Sequence, residues 1–140
     1  HSEWPKGGEL DIWESNGSLS KAILQQIQFS NLGWDTVSNN FKGEYLEGTM
    51  ADWHTYAVEW TMGGISWYVD GMLTFGANHW VADEGSNPAP FDQPFYLIMN
   101  FAVGGDPFTM QDDAYLPDDS VFYSGDKNFQ VDYVRVYQMK

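Results

Sequence analysis

Asp70-Gly71 stands between two short apolar runs, Ile65–Val69 (ISWYV) and Met72–Phe75 (MLTF). An Asp-Gly pair in that setting predicts a two-residue type I′ turn, whose central residues both need positive φ. Such a turn joins only antiparallel neighbours. The rest of the chain is punctuated in the same way. Ala22–Phe29 (AILQQIQF) is short and partly alternating, and it ends at an Asn31–Gly33 turn. Trp53–Trp60 (WHTYAVEW) is rich in aromatic and β-branched residues and is followed by the turn Met62-Gly63-Gly64. Pro94–Val103 (PFYLIMNFAV) reads as a buried strand stopped by Gly104-Gly105. Phe129–Gln138 alternates, with Val131, Tyr133, Arg135 and Tyr137 on one face. Helical periodicity is weak throughout, and Gly76–Pro90 and Asp106–Asp126 hold the Pro, Asp, Asn and Gly of loops. The expectation is an all-β fold, an antiparallel sandwich or jelly roll.

Composition narrows the partners. With 20 acidic and 6 basic side chains the formal net charge is −14, which repels phosphate backbones and argues against nucleic acid or an anionic membrane as partner. No apolar run approaches the ~18 residues of a membrane span. There is no cysteine, so a disulfide scaffold, a thiolate zinc site and a thiol nucleophile are excluded. Aromatic residues make up 17% of the chain. They suit either a sandwich core, since aromatics favour pleated surfaces, or a cleft that stacks flat sugar faces.

The chemistry concentrates in Trp4–Gly17, WPKGGELDIWESNG. Three carboxylates, Glu9, Asp11 and Glu14, fall within six residues of an otherwise apolar strand, a costly arrangement if they share one buried face. Side chains alternate along a strand, so Glu9 and Asp11 point the same way and Glu14 the other. A β-bulge near Ile12-Trp13 adds one residue and returns Glu14 to the first face. The outer two then span ~13 Å between Cα atoms at ~3.3 Å per residue. Side chains leaning together over that span reach the ~5–5.5 Å separation of a retaining glycosidase pair. The same spacing also fits an unbulged edge strand showing its acids to water.

WPKGGELDIWESNG resembles the catalytic strand of glycoside hydrolase family sixteen, in its laminarinase-like branch of endo-β-1,3-glucanases. WHTYAVEWTMGGISWYVDG (Trp53–Gly71), PFYLIMNFAVGG (Pro94–Gly105) and VDYVRVYQ (Val131–Gln138) resemble later segments of that family in the same order. The resemblance implies a concanavalin-like β-jelly roll. It opens almost at residue 1, where family domains carry several earlier strands. Residues 1–140 are therefore expected to be the C-terminal part of a single glycoside hydrolase domain, lacking its N-terminal strands and completed by the N-terminal segment of its own domain.

By that resemblance Glu9 is the nucleophile, Glu14 the general acid/base, and Asp11 the neighbour that tunes the nucleophile's protonation. Trp4 matches a tryptophan that stacks on sugar, and Asn100 an asparagine lining the cleft. Gln28 falls where many laminarinase-like members carry histidine, which bears on linkage preference. Asp132 matches a position that helps hold a structural calcium; no cofactor is implied for catalysis. His54 and Trp60 are expected to be structural, and Asn16-Gly17-Ser18 a plain turn rather than a glycosylation sequon. The implied function is a secreted, extracellular endo-glycosidase hydrolysing β-1,3 or mixed β-1,3/1,4 glucans. Two other readings compete: a non-catalytic β-glucan-binding protein, and a family hydrolase for another polysaccharide.

Overall fold

The hairpin at Asp70-Gly71 forms as expected. In the computed structural model, which describes residues 3–15, 21–31, 34–44, 48–83, 85–102 and 128–138, Asp70 has φ 51° and Gly71 φ 81°. They join β5 (Gly64–Val69) to β6 (Met72–Ala77), and β4 (Tyr56–Thr61) pairs with β5 on its other side. The Met62-Gly63 turn between β4 and β5 depends on Gly64, whose φ is +149° and whose absent Cβ would lie 2.7 Å from the Ala77 carbonyl oxygen.

A second antiparallel sheet has the order β1 (Glu9–Glu14), β2 (Ala22–Asn31), β3 (Trp34–Glu44). β2 outruns its expected end by two residues. β3 has no counterpart among the expected strands. β7 (Val81–Ala82) and β8 (Gly85–Ser86) form a small ladder inside the stretch read as loop. Among the described residues there is no helix.

The chain divides into two compact units, His1–Phe95 and Tyr96–Lys140. The first holds both three-stranded sheets, packed face to face. Ile27 and Phe29 of β2 meet Ile65 and Trp67 of β5, with Ala77, Trp80, Ala82 and Phe91 closing the cluster. Beside it Ile23 and Val69 pack with Trp13, Met50 and Tyr56. Period-two alternation explains the core: Ile65, Trp67 and Val69 are buried in turn along β5. The aromatic content serves this core first, with Trp67 and Trp80 buried, but Trp4 and Trp53 stay 58% and 67% exposed.

Among the described residues of the second unit, 96–102 and 128–138, the expected strands are not formed. Leu97, Ile98, Met99 and Phe101 are exposed, as are Val131, Tyr133 and Tyr137. A strand exists only through a ladder partner, and the described residues of this unit form no ladder. Its local order comes from side chains: Phe101 stacks on Phe129 at 6.4 Å, and the Arg135 guanidinium lies 4.3 Å from the Tyr133 ring centre.

Candidate active site

The bulge inferred from strand parity is present. Glu9 pairs with Gln28, Leu10 with Ile27 and Asp11 with Gln26, but Glu14 pairs with Leu24. Three steps on β1 thus oppose two on β2, and the extra residue falls within Ile12-Trp13. Glu9, Asp11 and Glu14 consequently share the face of β2 that carries Gln26 and Gln28. The opposite face of β1 turns inward, with Leu10 against the core and Trp13 stacked on Tyr56 at 4.8 Å.

The entry to β1 is set by a close approach. Gly8 has φ +78°, and a Cβ there would lie 3.0 Å from Pro90, 3.1 Å from Phe91 and 3.2 Å from Phe95. Only glycine meets both demands. Behind it, the Gln93 side-chain amide donates to the carbonyl oxygens of Gly7 at 3.1 Å and Pro90 at 3.0 Å. The residue before Glu9 is thereby pressed onto the loop that holds Phe91.

Each carboxylate receives its own donor. The Trp4 indole N–H donates to Glu9 Oε2 at 2.5 Å, Gln28 Nε2 to Asp11 Oδ2 at 3.4 Å, and Gln26 Nε2 to Glu14 Oε2 at 3.3 Å. Even so, desolvation dominates. The Asp11 carboxyl is pushed up to about 6, by burial first and by the Glu9 charge second, against the two glutamine amides. Glu14 is also raised, by burial and then by the Glu9 charge. Like charge on one crowded face disfavours full ionisation, as a carboxyl poised to give up a proton requires.

The first unit therefore brings Trp4, Glu9, Asp11, Glu14 and Gln28 onto one β1–β2 surface. Sequence reasoning missed Gln26, which is 7% exposed and touches Glu14. Its signal was parity, since it lies two residues before Gln28 on the same face. Asn100, expected in a buried strand, is exposed and outside any strand in the second unit. Asp132 is exposed in that unit too. Among the described residues no group of three or more His, Cys, Asp or Glu side chains is arranged to hold a metal ion. His54 is a structural clamp, with Nδ1 2.7 Å from Asp70 Oδ2 and Nε2 3.0 Å from the Thr49 carbonyl oxygen. The Asn16-Gly17-Ser18 sequon, Val103 and the loop Asp106–Asp126 lie outside the described residues.

The first unit is thus an all-β sandwich that carries three acids on one face of a single strand. The chain belongs to the glycosyl hydrolases family 16, which it matches over residues 1–133. It is 39% identical to a glucan endo-1,3-beta-glucosidase A1 of Niallia circulans, over 99% of this chain and 20% of that protein. It is 34% identical to a beta-glucanase of Rhodothermus marinus, over 96% of this chain and 46% of that protein. A beta-1,3-glucan-binding protein of Penaeus monodon is 36% identical over 73% of this chain and 34% of its own length. The chain thus spans between a fifth and a half of these relatives. No solved structure matches it significantly.

Proposed function

We propose that the protein carrying this chain is a secreted, retaining endo-glycosidase acting on β-1,3 or mixed β-1,3/1,4 glucans. The observation that carries this reading is the β1 bulge, which puts Glu9, Asp11 and Glu14 on one face. The names of the glucanase relatives supply the substrate class.

In this mechanism Glu14, whose pKa is raised by burial and by the Glu9 charge, gives its proton to the leaving glycosidic oxygen. Glu9 attacks the anomeric carbon and forms a glycosyl ester. Glu14, now ionised, takes a proton from water, whose oxygen displaces Glu9 and restores the carboxylate. Asp11, between the two, holds a proton below about pH 6 and so limits the charge accumulating beside Glu9 before attack. The exposed Trp4 ring offers a flat face to the sugar next to the nucleophile, and Gln28 lines the same surface. Asn100 is the remaining candidate for a sugar contact. A polymeric glucan does not enter a cell, which suits action outside it.

The test is reducing-sugar release from laminarin and lichenan by the full-length protein and by Glu9→Gln. Turnover by the wild type, lost by at least 10³-fold in Glu9→Gln, is expected by the scale of catalytic-group deletions. Wild-type silence on every β-glucan defeats the proposal. The glucan-binding relative favours a second reading, binding without turnover, which the same assay separates when combined with a pull-down on insoluble glucan.

A further inference from the structure

The inward face of β2 reads Ile23, Gln25, Ile27, Phe29, with one amide in an apolar row. Gln25 is fully buried, and a buried amide is retained at a cost unless its hydrogen bonds are filled. Both ends are filled, and both lead to irregular backbone. Gln25 Nε2 donates to the carbonyl oxygen of Ile12 at 3.3 Å, which lies in the β1 bulge. Gln25 Oε1 accepts from the Thr74 hydroxyl at 2.5 Å.

Thr74 is itself the extra residue of a second bulge. Trp67 pairs with Phe75 and Tyr68 with Leu73, so two steps on β6 oppose one on β5. The Thr74 oxygen also lies 3.1 Å from the Trp67 carbonyl oxygen, a second acceptor for its one proton. The loop closes through Trp67, whose buried indole N–H donates to the Asp11 carbonyl oxygen at 2.8 Å. Two carbonyls of consecutive residues on the acid-bearing strand are thus held: Asp11 directly from the opposite sheet by Trp67, and Ile12 by Gln25 of the neighbouring strand, which Thr74 ties to the opposite sheet.

We infer that Gln25 and Thr74 are positioning residues, a polar brace across the sandwich that sets where the β1 bulge falls and hence the spacing of Glu9, Asp11 and Glu14. The inference rests on the proposed reaction at those acids. Gln25 faces away from the acids, so its effect passes through the β1 backbone and not through substrate contact. An apolar side chain of the same length fills the volume but leaves the Ile12 carbonyl without its donor and the bulge free to relocate.

The test uses the full-length protein with Gln25→Met, Thr74→Val, the double variant, and Thr74→Ser as the variant that keeps the hydroxyl. Kinetics on laminarin are read across pH on protein shown folded by circular dichroism. A displacement of about 1 Å at reacting groups costs up to ~10²-fold. A 10- to 100-fold fall in kcat is therefore expected for Gln25→Met and Thr74→Val, with KM within about threefold. The pH optimum should move, the double variant should do no worse than the larger single effect, and Thr74→Ser should restore the wild-type rate and profile. If Gln25→Met does not fold, Thr74→Val decides alone. Folded variants that keep kcat within twofold and an unmoved pH profile overturn the inference, even if their melting temperatures fall.

Silence of the wild type on all glucans would sink the proposed reaction and leave the brace to a separate readout. Carboxyl 13C titration of the wild type and Thr74→Val then decides it. Relaxed coupling between Asp11 and Glu9 in the variant supports the brace, and identical titration curves overturn it.

Discussion

Trp4 and Glu9 are joined edge to headgroup: the indole N–H donates to the carboxylate at 2.5 Å while the ring remains more than half exposed. One residue thus steadies the acid and leaves its flat face open beside it. The two roles separate by substitution. Trp4→Phe keeps an aromatic face and removes the donor. A hydrogen bond to a charged group is worth ~1.5–3 kcal/mol, and partial exposure puts this one at the lower end. Trp4→Phe is expected to lower kcat roughly tenfold with KM little changed, whereas Trp4→Ala raises KM as well. Steady-state kinetics on laminari-oligosaccharides check the split.

In the proposed mechanism Glu14 acts as the acid, and its raised pKa is expected to extend activity to higher pH than an ordinary glutamic acid allows. The Glu9 charge is part of the cause. In Glu9→Gln that charge is gone, and the Glu14 carboxyl should titrate closer to its ordinary range. Carboxyl 13C chemical shifts followed from pH 3 to 8 measure this, and an unmoved midpoint would contradict the shared-face electrostatics.

Asp11 makes a stability prediction of definite sign. Its folded-state pKa, about 6, lies above the ordinary 3.8, so the native state holds a proton that the unfolded chain releases. Stability associated with that proton is fully present below about pH 4 and is lost as pH rises through about 6. Asp11→Asn should therefore stabilise the fold at pH 7, on the order of 1–2 kcal/mol after allowance for solvent screening, and have little effect at pH 3.5. Urea midpoints at the two pH values test it.

The His54 clamp points its pH dependence in the same direction by a different route. Both ring nitrogens face acceptors, the Asp70 carboxylate and the Thr49 carbonyl oxygen, and the pKa is raised, chiefly by the Asp70 hydrogen bond. Stability from this pair is fully present below about 6.5 and is lost as pH rises through the raised value. Asp70, lowered by the Thr55 N–H and His54 despite partial burial, loses its own contribution only in acid. His54→Gln should flatten the fall in melting temperature between pH 6 and 9, with a loss of about 1 kcal/mol at pH 6.

Gly8→Ala is expected to destabilise by about 1–3 kcal/mol, from a positive-φ penalty of ~1–2 kcal/mol and overpacking against Pro90, Phe91 and Phe95. A denaturant titration measures the loss. Gly71→Ala, at another positive φ but with nothing within 4 Å of its Cβ, supplies the strain-only comparison and should cost less.

Two features were legible because each depends on a local rule. Asp70-Gly71 specifies its turn through φ alone, and parity offered a bulge at Ile12-Trp13 as one of two ways to seat Glu9, Asp11 and Glu14, which the pairing of β1 with β2 then decides. β3 was not legible, since WDTVSNNFKGE has neither alternation nor a β-branched run, and its existence follows from pairing along nearly the whole of β2. Gln25 and Gln26 look alike in sequence, yet one faces the core and the other the acids. Parity puts them on opposite faces, and the registry of β2 against β1 decides which face meets the acids. Pro94–Val103 and Phe129–Gln138 have the apolar patterning of strands, but patterning alone supplies no ladder partner, and none pairs with them among the described residues. Asn100 inherited its expected burial from that prediction.

The Gly7-Gly8 contact with the Pro90–Phe95 loop gives the site a rear stop that no ligand needs to touch. Substitutions at Pro90, Gln93 or Phe95 would shift the start of β1 and with it Glu9. Anyone seeking to retune such a protein for a different glycan would do well to randomise this hidden buttress alongside the visible groove.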